Sequence, residues 1–182
     1  MSIAGILCRF VEGVYIPFEG DESAAKVGNS RYTRHALFFG KVYPPMHHKL
    51  SYAEARAYID VMVAAMVCDG VMRQQELERL IANVAARPSL RKFDPEQIER
   101  MINTSLTEFQ GMTRARLDNK LAAIANTLKS TPNRKDALRM AISVMRANKE
   151  ISPKALTFLR RLATALGIDE AEVKKLLQNN DG

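Results

Sequence analysis

The 182 residues include only two cysteines and three histidines, and these sit in unrelated positions. Cys8 and Cys68 are far apart and lack metal-ligand spacing, which argues against a disulfide framework and for a reducing compartment. Both read as buried hydrophobes. His35, His47 and His48 lie in or just after the N-terminal segment with no acid beside them, the pattern of a surface loop. There is no glycine-rich phosphate loop, no Gly-x-Ser-x-Gly elbow and no Cys-x-x-Cys pair. No nucleophile–base pairing emerges, so the expectation is a protein that is not an enzyme. Long apolar runs are also missing: none approaches the about 18 residues a spanning helix needs. The longest, Val61 to Cys68, is bracketed by Asp60 and Asp69 and reads as a buried core helix. The start of the chain has no basic run before its apolar residues and meets Arg9 early, so no secretory signal is expected and the location expected is cytoplasmic.

What is present is an ordinary globular composition, 47% hydrophobic and 26% charged, with enough length to bury a core. The formal net charge of +7 is unevenly spread. Acids outnumber bases between Ser51 and Ala85, where Glu54, Asp60, Asp69, Glu76 and Glu78 stand against Arg56, Arg73 and Arg79. The balance then reverses from Arg87 to Lys135, through Arg91, Lys92, Arg100, Arg114, Arg116, Lys120, Lys129 and Arg134. With Arg139, Arg160 and Arg161 these form a candidate basic surface for an acidic protein, an anionic membrane surface or nucleic acid. Nucleic acid ranks below the other two, because no aromatic residues interleave with the bases to stack on them. A plain solvated face is the alternative.

Along the chain, residues 1–50 differ from the rest. Gly5 to Phe18 has two β-prone runs around Glu12-Gly13, and His35 to Tyr43 reads as a third strand. From Ser51 the signals are helical. Ser51 with Glu54 makes a capping box. Asp94-Pro95, Thr131-Pro132 and Ser152-Pro153 each read as an N-cap followed by proline at the first helical position. Thr113 and Asp169 read as further caps, and Gly167 as a helix stop. The expected fold is mainly α: a bundle of about seven helices with an internal pseudo-repeat, plus a small N-terminal β-rich segment. The expected domains are an extension over residues 1–50 and a helical domain over residues 51–182.

The pseudo-repeat sets Met62–Ile81 against Ala141–Arg160, with Asp69 opposite Asn148, Gly70 opposite Lys149, and Leu77 opposite Leu156. In each copy an apolar helix ends in a polar turn and an amphipathic helix follows. VAAMVCDGVMRQQELERL together with ANKEISPKALTFLRRLATALGIDEAEVKKLL resembles the TerB-like family of helical domains, over about residues 51–178. The resemblance implies acidic residues at the two turns that bind a divalent metal. Carried over by position, the first motif falls on Asp69, Gly70 and Glu76, and the second offers Glu150 with Asn148 as a neutral ligand. The second copy departs from the pattern: asparagine replaces the aspartate, Lys149 the glycine and Ala155 the later glutamate.

Two readings of Asp69 therefore stay open. One is a weak site for Ca²⁺, Mg²⁺ or Zn²⁺ built from Asp69, Glu76, Asn148 and Glu150, although a hard cation wants roughly six to eight oxygens. The other is a turn aspartate that accepts backbone N–H bonds, with Glu76 placed favourably in the first turn of the next helix. The resemblance implies a non-catalytic interaction module with an unidentified protein partner, in a stress- or envelope-associated complex. The alternative function is a basic-surface binder of nucleic acid or anionic lipid, through Arg87, Arg91, Lys92, Arg114, Arg116, Lys120, Arg160 and Arg161.

Overall fold

The computed structural model describes residues 50–148 and 151–178, and the expected strands fall on residues outside this span. Among the described residues seven α-helices follow one another: α1 Tyr52–Val67, α2 Gln74–Ala86, α3 Pro95–Phe109, α4 Arg114–Thr127, α5 Thr131–Met145, α6 Pro153–Leu166 and α7 Glu170–Gln178, with a 3₁₀ turn at Arg146–Asn148. No strand occurs among the described residues.

The apolar run that is too short for a membrane becomes the axis of the bundle. Every residue of α1 from Ala57 to Met66 is buried. A helix apolar all round must be wrapped by others, and α1 is: it packs against α2, α3, α4, α5 and α6. The alanines Ala55, Ala57, Ala64 and Ala65 leave its backbone lightly covered, while Tyr58, Met62 and Met66 fill the gaps. Opposite it α5 contributes Ala137, Leu138, Ala141 and Ile142, all fully buried. The amphipathic helices turn one stripe to this centre: Leu80, Ile81 and Val84 from α2, Phe158, Leu159 and Leu162 from α6. No described helix is long and apolar enough to cross a membrane.

Helix ends follow local chemistry. Ser51 and Glu54 cap α1 reciprocally, Asp94 and Gln97 cap α3, and the hydroxyls of Thr113 and Ser152 accept from the third residue onward. Gly167 closes α6 at φ +67°, a left-handed conformation that most residues adopt at a cost. One cap is corrected. Ser130, not Thr131, caps α5 by accepting from Asn133 N, which moves Pro132 to the second helical position. The alignment that sets Met62 against Ala141 then sets Ser51 against Ser130 and Arg73 against Ser152, and all four residues are N-caps.

Candidate functional site

The turn between α1 and α2 is built by Asp69 and Gly70. Gly70 takes φ +87°, and the Asp69 carboxylate accepts from the backbone N–H of Val71 at 3.0 Å, tying the turn to itself. This leaves Val71 and Met72 as large apolar side chains more than half exposed. The chain then enters α2 at Arg73, whose backbone N–H donates to Glu76 Oε2 at 3.1 Å. The Arg73 guanidinium donates to Asp69 Oδ2 at 2.8 Å and lies 3.6 Å from Glu76 Oε1. One cation thus stands between the two carboxylates that the sequence singles out. Burial pushes the Asp69 carboxyl up, but the hydrogen bonds from Arg73 and Val71 outweigh it and hold the group below its ordinary value.

The two turns do face each other. A hollow of about 400 Å³ has Asp69, Arg73 and Glu76 on one side and Ile151, Ser152 and Ala155 on the other. Glu76 is only 5% exposed, so its charge is fixed in the wall rather than carried on the surface. The second turn brings no further carboxylate among the described residues. Ala155 stands where the first copy has Glu76, and the Ser152 hydroxyl is engaged by Ala155 N at 3.2 Å. Glu150 lies outside the described residues, as does the side chain of Asn148. Among the described residues no group of three His, Cys, Asp or Glu side chains could hold a metal ion. Two carboxylates already sharing a guanidinium do not fit a hard divalent cation, which wants several anionic oxygens and no neighbouring positive charge.

A larger hollow, about 450 Å³, adjoins the first, and Cys68 and Pro153 line both. Val67, Phe109, Met112, Leu117 and Phe158 make it apolar, and Lys154, Thr157 and Arg161 supply its polar edge. It gathers residues from α1, α3, α4 and α6, far apart in sequence, so no local pattern foretells it. Cys68 between the hollows donates its thiol to Ala65 O at 3.1 Å. Burial, then the nearby charges of Asp69 and Glu76, push its pKa up to about 12. At pH 8 Cys68 should therefore react with iodoacetamide far more slowly in the folded protein than in urea, read by peptide mass spectrometry. Equal rates in the two states would contradict the placement.

The basic residues divide. Arg91 and Lys92 in the α2–α3 connection, Arg114 and Arg116 at the start of α4, and Arg160 in α6 are exposed. Arg87 is not a surface residue: it is 7% exposed, ion-paired with the buried Asp136 of α5, and stacked 4.9 Å from the centre of the Tyr58 ring. Lys120 is turned inward to Asp60 at 2.9 Å and Glu108 at 2.7 Å, and Arg161 is paired with Asp118. Arg134 donates to the carbonyls of Leu128 and Ala125 at 2.7 and 2.9 Å, closing the end of α4. Part of the positive charge of the candidate basic surface is thus paired within the fold, while Arg91, Lys92, Arg114, Arg116 and Arg160 stay exposed.

A helical domain with a central helix buried from Ala57 to Met66, two helix–turn–helix units capped at corresponding positions and an acid-containing turn in the first unit defines the class. Residues 55–178 match the family model described as Tellurite resistance protein TerB, and the chain belongs to that family. No curated protein and no solved structure matches the chain.

Proposed function

We propose that this chain is a non-catalytic interaction module that docks an apolar segment of a protein partner, flanked by carboxylates, in the hollow edged by Lys154. The observation that carries this reading is the hollow itself. Val67, Met112, Leu117 and Phe158 present apolar surface there, and methionine adapts its shape to different partners. Lys154 is exposed at its edge and would favour a carboxylate beside the docked apolar residues. The half-exposed Val71 and Met72 extend the apolar character of this end of the bundle. Membership of the family supports setting the module in a stress- or envelope-associated complex.

The test uses synthetic peptides with three large apolar residues, flanked by either glutamates or lysines, read by fluorescence anisotropy. The glutamate-flanked set binds more tightly to the wild-type chain. Lys154→Glu should erase or reverse that preference, and Thr157→Trp should block the hollow and weaken every peptide at least about tenfold. Both substitutions lie at exposed positions, so the fold is retained. Binding that ignores both variants would refute the proposal. Weak peptide binding beside strong, salt-sensitive binding of DNA or anionic vesicles would favour the exposed basic residues Arg91, Lys92, Arg114, Arg116 and Arg160 instead.

A further inference from the structure

We infer that the Arg73 guanidinium is the resident cation of the corner between the two turns, standing where a divalent ion would have to bind, so that this chain takes no divalent cation there. The inference is independent of the docking proposal and rests on the atoms of the first turn. Both oxygens of Asp69 are engaged, one by Val71 N at 3.0 Å and the other by the Arg73 guanidinium at 2.8 Å. Both oxygens of Glu76 face the same residue, one accepting from the Arg73 backbone and one lying 3.6 Å from its guanidinium. Asp69 and Arg73 are four residues apart and Arg73 and Glu76 three, so the turn and the first turn of α2 bring the three groups together locally.

An ion entering between the carboxylates would have to drive the guanidinium out against the bonds that hold it, or sit beside it and be repelled. Arginine cannot make way by losing its proton, because it stays charged at any pH the protein meets. Among the described residues the opposite wall offers little compensation. Ile151 and Ala155 are apolar there, and the Ser152 hydroxyl is already used as the cap of α6. The corner is therefore closed by the charge of Arg73, whose side chain is 38% exposed and held by its bonds to the two acids.

The experiment compares the full chain, stripped with EDTA, with Arg73→Gln and Arg73→Lys in titrations with Ca²⁺, Mg²⁺ and Zn²⁺. It reads both calorimetric heat and the thermal midpoint, with Asp69→Ala as the control that localises any binding. The wild-type chain and Arg73→Lys should show no Asp69-dependent response. Arg73→Gln removes the charge and keeps the backbone N–H that caps with Glu76, and it should gain a saturable response that Asp69→Ala abolishes. Saturable binding by the wild-type chain that is lost in Asp69→Ala overturns the inference. So does an Arg73→Gln variant that is folded and as silent as the wild type. Should Arg73→Gln fail to fold, the wild-type and Arg73→Lys titrations decide alone. Silence in both upholds the inference, and an Asp69-dependent response in either overturns it.

Discussion

Asp60→Ala should lower the free energy of unfolding by about 3–5 kcal/mol, as measured by urea denaturation, because it strips a buried charge cluster of its centre. Asp60 is 3% exposed in the middle of α1. One of its oxygens accepts from Ser105 Oγ at 2.6 Å and Arg56 Nε at 2.8 Å, and the other lies 2.9 Å from Lys120 Nζ. Arg56 and Lys120 also meet Glu108, so two cations and two carboxylates bind α1 to α3 and α4. Arg56 Nη2 is 3.0 Å from Glu108 but out of line for a hydrogen bond, which makes Asp60 the better-aligned partner. Removing it leaves both cations with a single, more exposed carboxylate. A control substitution, Asp118→Ala, deletes the surface partner of Arg161 and should cost no more than about 1 kcal/mol. Equal losses in the two variants would contradict the account.

The same cluster gives an acid dependence with a defined sign. Burial pushes the Glu108 carboxyl up, but Lys120 and Arg56 outweigh it and hold it below its ordinary value of 4.5. Its contribution to stability is therefore fully present above that value and is lost as pH falls through the lower value it has in the folded protein.

The second large effect concerns Arg87 and Asp136, which join the end of α2 to α5. Arg87→Met should destabilise by about 3–5 kcal/mol, because it leaves the Asp136 carboxylate buried and without its cation. One Asp136 oxygen already has no hydrogen-bond partner, so the carboxylate is poorly satisfied even with the guanidinium in place. Burial, then the Asp136 charge, raise the Tyr58 pKa against the opposing effect of Arg87, which keeps the phenol protonated and donating to Asn133 O at 3.3 Å. Adding Asp136→Leu to Arg87→Met removes the stranded charge and should restore most of the lost stability. A double variant as unstable as the single one would mean that the cost is lost packing of Arg87 on Tyr58, with the ion pair contributing little.

The helices were legible because their punctuation is local. Ser51 with Glu54, Asp94 with Pro95, Ser152 with Pro153 and Gly167 each act within four residues, and each ends or begins a helix where the pattern puts it. The misplaced cap at Thr131 shows the limit of such signals: Ser130, one residue earlier, also has a hydroxyl, and a proline is tolerated at the second helical position as well as the first. The inward turn of Arg87 and Lys120 was not legible, since their partners Asp136 and Asp60 lie on other helices and only the packed fold brings them together. Arg73 is different. Its spacing of four residues from Asp69 and three from Glu76 is written in the sequence, so this ion-paired corner is local and legible without the fold.

Amide chemical shifts of the ¹⁵N-labelled chain, recorded separately with Ca²⁺ and with a glutamate-flanked apolar peptide, test the central claim: that the apolar hollow, not the acid corner, is the contact surface. The account predicts that the peptide moves the amides of Val67, Phe109, Met112, Leu117 and Phe158, while Ca²⁺ leaves those from Asp69 to Glu76 where they are. Shifts from Asp69 to Glu76 with Ca²⁺, and none around the hollow with the peptide, would contradict it.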